Sequence, residues 1–217
     1  MAKELENTMV DNNVYLLTEI TQETTNGLIM QLTQWVNALP FKNKLEKIYT
    51  PYEAIPNDSH VLNIWINCCG GKNNTRQTIL TLFNIASAHG TIIKTYNLRE
   101  ASSNASIIAV SGTKGYRYMS EQAFNFIHFG NTGQNVKHPN EIEYVTASFK
   151  RHGDESKNIY LRHTKLTEKE LDKFQNQEGS GLLTAEQCLR KGLCDWIITN
   201  DGRFVNSVAE LNKQNHR

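Results

Sequence analysis

The sequence predicts an α/β domain with a largely parallel sheet. Apolar runs of strand length alternate along the chain with stretches of helical period. At 217 residues, 39% of them hydrophobic, the chain can bury a sizeable core. No internal repeat or low-complexity linker divides it, so one domain is expected.

The elements follow in order. Residues 1–13 are polar and read as a loosely held N-terminal tail. The domain proper is expected over 14–200. Val14–Leu17 is a short apolar run that suits a first strand. Thr21–Leu39 carries Leu28, Ile29, Leu32, Trp35, Val36 and Leu39 at helical spacing, and Pro40 closes it. Residues 40–60 hold Pro40, Pro51 and Pro56 among charges and read as a surface insertion. Val61–Ile66 reads as a buried strand running into Cys68, Cys69, Gly70 and Gly71. Thr75–His89 is a helix with Ile79, Leu82, Phe83 and Ala86 on one face, ended by Gly90.

Thr91–Tyr96 is the next strand. Ala101–Val110, rich in small residues and then apolar, suits a buried helix just past a tight turn. Tyr116–Tyr118 and Phe124–His128 read as two further strands. Residues 141–164 form a long polar helical stretch, which Gly153 is expected to interrupt. Thr167 and Glu170 make a capping box that opens a helix to Phe174. Thr184–Lys191 is another helix, stopped by Gly192. Trp196–Ile198 is the last strand, and 201–217 is read as a C-terminal tail.

Composition excludes several classes. Lys and Arg total 23 against 22 Asp and Glu, and a net charge of +1 argues against a dedicated nucleic-acid binder. No apolar run reaches the length of a membrane span, and the N-terminus lacks a secretory h-region. A soluble, cytoplasmic protein is expected. The four cysteines form no C-x-x-C pair and read as reduced thiols. The seven histidines show no H-x-x-x-H spacing, so no metal site is expected.

Chemistry could sit at three features. Gly70 and Gly71 follow a strand, where glycine lets backbone N–H groups approach a ligand closely. Ser102 and Ser103 lie where a strand hands over to an apolar helix. A serine there either caps the helix or acts as a nucleophile favoured by the orphan N–H groups. His128 stands at the end of an apolar strand. A Ser–His pair with a backbone oxyanion hole is the minimum equipment for acyl transfer.

Together these segments resemble the ClpP family, the proteolytic subunit of the Clp protease. Residues 66–71 look like that family's Asn-Ser-Pro-Gly-Gly loop, and residues 100–105 like its Gln-Ala-Ala-Ser-Met-Gly nucleophile turn. Residues 112–118 are similar to its Gly-Ala-Lys-Gly-Lys-Arg-Phe stretch, and Phe126-Ile127-His128 to its Met-Ile-His. Ser103 and His128 stand 25 residues apart, as in the family. Residues 183–195 look like its Leu-Ser-Ala to Gly-Leu-Val-Asp segment.

The resemblance implies a ClpP/crotonase-like spiral of β-α units, with 141–164 as a protruding handle helix. It implies Ser103 as nucleophile, His128 as general base, and the N–H groups of Gly71 and Asn104 as the oxyanion hole. It also implies a serine endopeptidase without cofactor. Such subunits self-associate into rings and take polypeptide from an AAA+ unfoldase.

The third triad member departs from the family's pattern. Aligning residues 183–185 puts Ser180 where the family has its Asp, and a serine cannot carry the charge that stabilises an imidazolium. The segment before it is two residues longer here, which brings Glu178 or Asp172 into consideration. Two other readings follow from this site: a catalytically impaired ring subunit with a structural or regulatory role, and a crotonase-type acyl-CoA enzyme.

Overall fold

A computed structural model describes residues 6–39, 61–129, 139–176 and 181–212. The insertion expected at 40–60 lies outside the described residues.

The sheet is built where alternating apolar residues can turn one face toward helices. Its strands are β1 (Thr8–Val10), β2 (Asn13–Leu16), β3 (Val61–Cys68), β4 (Ile92–Ser102), β5 (Arg117–Ser120), β6 (Phe124–Phe126), β7 (Leu182–Thr184), β8 (Trp196–Ile198) and β9 (Phe204–Val205). They run in the order β1-β2-β3-β4-β5-β8-β9, with β6 and β7 branching from the far end of β4. The pairs β2-β3, β3-β4, β4-β5, β4-β6 and β5-β8 are parallel, and β1, β7 and β9 are antiparallel additions.

The helices are α1 (Gln22–Asn37), α2 (Asn73–Ala88), α3 (Asn104–Val110), α4 (Pro139–His163), α5 (Glu168–Gln175), α6 (Ala185–Arg190) and α7 (Val208–Asn212). Leu28, Leu32 and Val36 of α1 and Ile79, Leu80 and Phe83 of α2 pack over the sheet face formed by Val14, Leu16, Leu62, Ile64, Ile66 and Ile93. Every residue of α3 is buried.

Four expectations are corrected. Residues 6–13 are not a loose tail: Thr8–Val10 pairs with β2, and the Asn7 side chain, 2% exposed, bonds Thr25 Oγ1 and accepts from the N–H of Leu17 and Thr18. The start of the C-terminal tail is likewise ordered, since Val205 and Leu211 join the core. Gly153 does not interrupt α4, which runs unbroken through it. A β-carbon there would come 3.5 Å from Gln175, so the position lies in contact range of α5. Finally, β3 is buried on one face only. Its other face carries Trp65, stacked 4.2 Å from Tyr96, which in turn stacks 4.8 Å from Tyr118. Phe204 meets Tyr118 edge-on. A run of alternating large side chains satisfies either kind of strand, so periodicity does not separate them.

One irregularity positions everything that follows. Pairing between β3 and β4 shifts register between Ile66 and Cys68. Beyond that point β4 leaves β5, and Glu100–Ser102 pairs with Phe124–Phe126 instead. The strand thereby delivers Ser103 beside the C-terminal end of β6, the side of a parallel sheet where ligands are bound.

Candidate active site

Ser103 is held at a sharp corner. Its φ of 55° and ψ of −123° lie in a region that a residue with a β-carbon occupies only under strain. The corner is tied down by the Ser103 N–H, which donates to Phe126 O at 2.8 Å. Ser103 stands at the N-cap position of α3, yet its hydroxyl makes no capping bond. Ser102 does not cap either, because its hydroxyl donates to Glu100 at 2.7 Å. Simple capping therefore does not explain the serine run. The Ser103 hydroxyl is half-buried at a helix N-terminus, where developing negative charge is favoured.

The glycine pair lies directly against this corner. A β-carbon on Gly70 would stand 2.6 Å from Ser103 Cβ and 2.8 Å from Ser102 O, so only glycine fits. Gly70 has φ +107° and Gly71 φ +145°. Gly70 O accepts from the Ile20 N–H at 2.6 Å, and the Lys72 N–H donates to Ile20 O at 2.7 Å. Those two bonds strap Gly71 along Ile20 as a parallel bridge, which turns the Gly71 N–H away from Ile20. On the other side, Asn104 Nδ2 donates to Gly71 O at 2.5 Å. Asn104 is the first residue of α3, so helix geometry leaves its N–H without an intrahelical acceptor.

The loop is fixed from below by Cys68. Its thiol donates to Thr18 O at 2.9 Å and accepts from the Gly70 N–H at 3.3 Å. Burial pushes that thiol up to about 12, so Cys68 is a packed structural group. Cys69 is exposed, and desolvation together with Glu19 and Glu100 raises its thiol as well.

His128 follows β6 by two residues. Its ring stacks on Phe126, with centroids 5.2 Å apart. Partial desolvation there lowers its pKa from the ordinary value. The neighbouring Ile127 N–H donates to Gly181 O at 2.9 Å, and a β-carbon on Gly181 would collide with Ile127 O.

Asp172 lies on α5, half exposed, and accepts from Lys157 of α4 at 2.6 Å. Glu178 and Ser180 lie outside the described residues. Among the described residues, no cluster of three or more His, Cys, Asp or Glu is suited to a metal ion.

Comparison with known proteins decides the lineage. The family model described as "Clp protease" matches residues 52–201, more than half of the chain. The chain belongs to the Clp protease family. Among curated proteins it is similar to the "ATP-dependent Clp protease proteolytic subunit 4" of Rhodococcus jostii (strain RHA1). Identity to that Clp protein is 23% over 137 residues, covering 63% of this chain and 68% of the relative. The mixed α/β architecture is consistent with the Clp protease fold. Among the described residues no helix is long and apolar enough to cross a membrane.

Sequence reasoning missed one feature of this Clp-family site, the buried Arg76 of α2. Arg76 Nη1 donates to Asn104 Oδ1 at 3.1 Å and to Ser156 Oγ of α4 at 2.8 Å. The available signal was its register. Arg76, Ile79, Leu80 and Phe83 share one stripe at i, i+3, i+4 and i+7, so a cation stands in an apolar row.

Proposed function

We propose that this chain is a serine endopeptidase of ClpP type, cleaving unfolded or partner-delivered polypeptide through an acyl-enzyme on Ser103. The observation that carries the reading is the Ser103 hydroxyl, free of any capping bond on a positive-φ corner, packed against Gly70 and beside β6, which His128 follows by two residues. A neutral His128 ring takes the Ser103 proton as Oγ attacks the scissile carbonyl. The N–H groups of Gly71 and Asn104 receive the oxyanion. Collapse returns the proton from His128 to the leaving amine, and water then releases the acyl group by the same steps in reverse.

In this reading Ser103 and His128 act as a pair, and Asp172 is engaged by Lys157 at 2.6 Å rather than serving as their acid. Glu178 is the carboxylate left to test as a third member. The apolar residues exposed on α4, Ile142, Tyr144 and Phe149, support pairing of one ring with another through this helix, the subunits self-associating into rings as the family relationship suggests. An AAA+ unfoldase is the partner the family relationship suggests, and membership of the Clp protease family supports a peptidase over an acyl-CoA enzyme.

The test is a fluorophosphonate probe applied to the full chain. Labelling that disappears in Ser103→Ala is expected. An unlabelled wild-type oligomer that assembles normally favours the impaired ring subunit instead. Glu178→Gln separates dyad from triad: loss of about 10⁴ in rate assigns the acid, and an unchanged rate leaves the pair on its own.

A further inference from the structure

We propose that Arg76 is a positioning residue that sets the orientation of the Asn104 amide and, through it, the spacing of the two oxyanion-hole donors. The inference rests on the peptidase reading above and adds a residue to it.

Arg76 is fully buried, at 0% exposure, between α2, α3 and α4. Its nearest carboxylate oxygen, Glu155 Oε2, is 3.9 Å from Nη2, beyond hydrogen-bond reach. Nε and Nη2 have no hydrogen-bond partner among the described residues. Glu155 is itself shared with Arg151, at 2.9 Å, and with His152, at 3.5 Å. A cation buried with so little compensation costs stability relative to an apolar side chain of the same volume. Its contacts point to what it does instead.

A guanidinium can only donate. The bond from Arg76 Nη1 therefore dictates that the Asn104 side chain turns its oxygen toward α2. That leaves Nδ2 facing the glycine loop, where it donates to Gly71 O at 2.5 Å and to Asn73 Oδ1 at 2.9 Å. With the amide reversed, its oxygen would meet the Gly71 carbonyl oxygen and its NH2 would meet the guanidinium. Both contacts are repulsive. The cation thus selects the one orientation in which Asn104 joins α3 to the Gly71 strand. Asn104 and Gly71 are also the two residues whose N–H groups receive the oxyanion, so their spacing follows from this bond. Ser156 anchors the guanidinium from α4, and its own hydroxyl donates to His152 O at 2.7 Å.

The test measures kcat and KM on a fluorogenic peptide, the rate of fluorophosphonate labelling, and Tm, in the full-length chain. Arg76→Met keeps an unbranched, flexible side chain that fills most of the stem's space and removes the donors. It is expected to lower kcat about 10- to 100-fold with KM within about 2-fold, and to slow labelling in parallel, as expected when only transition-state contacts are weakened. Arg76→Lys restores part of the loss. Tyr160→Phe removes an equally buried bond, 2.7 Å to Ser106, without touching Asn104, and is expected to keep kcat whatever its effect on Tm.

Equal kcat in Arg76→Met and wild type overturns the proposal. So does a loss in Tyr160→Phe as large as that in Arg76→Met, because general loosening then explains both. If Arg76→Met does not fold, Arg76→Lys and Ser156→Ala decide: a drop in kcat at constant KM supports the role, and unchanged kcat in both overturns it. Wild-type protein that neither hydrolyses peptide nor labels at Ser103 removes the peptidase reading and the positioning role with it. Labelling of the wild type therefore separates the two failures.

Discussion

Gly70 lies so close to Ser103 that a β-carbon added to the glycine would stand 2.6 Å from the serine's own. The proposed nucleophile and the glycine loop are thus packed so closely that no side chain fits between them. Contact at this range makes the loop and the corner one unit, and each prediction below disturbs that unit or the frame around it.

Gly70→Ala meets both the steric clash and the penalty of φ +107°. A loss of about 2–4 kcal/mol is expected, together with loss of fluorophosphonate labelling at Ser103. Thermal denaturation and labelling on the same sample check it. Labelling at the wild-type rate in a folded variant would show that the loop does not shape the site.

Under the proposed mechanism the pH dependence of kcat/KM follows from His128. Desolvation lowers its pKa, so the ring stays neutral and basic down to a pH below the ordinary 6.5. Activity is expected to persist through neutral pH and to fall only below that value. Phe126→Ala uncovers the stacked ring and is expected to move the inflection upward. An inflection above the ordinary value in the wild type reports a carboxylate against the imidazolium, contrary to a dyad.

Glu170 ties α5 to the end of α6. Its carboxylate accepts from Lys191 and from the Thr167 N–H, at 2.8 Å for the latter, and these bonds hold its pKa down at about 2 against an ordinary 4.5. A depressed carboxylate contributes stability above its unfolded pKa, and that contribution is lost as pH falls from about 4.5 toward 2. Glu170→Gln is expected to lower Tm at pH 7 by a few degrees, about 1 kcal/mol. The gap to wild type should close steadily below pH 4.5. A gap independent of pH would mean that the capping geometry, not the charge, carries the effect.

Much of this architecture was legible because it depends on local rules. The capping box expected at Thr167 and Glu170 is present, with both reciprocal bonds formed. The order of glycine pair, serine corner and strand-end histidine was readable for the same reason, since each is a short motif with its own backbone requirement. The N-terminal strand was not legible. Thr8–Val10 is three residues long, and it is held by pairing with β2 together with the Asn7 side chain reaching Thr25, 18 residues on.

The sequence by itself determined the alternation of strands and helices, the glycine pair and the small-residue turn, because propensity, capping and φ limits act within a few residues. Only the tertiary structure decided that Ser103 adopts a positive φ, that Gly70 touches it, and that Arg76 reaches Asn104 and Ser156 across separations of 28 and 80 residues. Those relations arise where the register shift of β3 against β4 sends one strand to two partners. Long-range pairing energies set that geometry, and no local pattern in the chain encodes it.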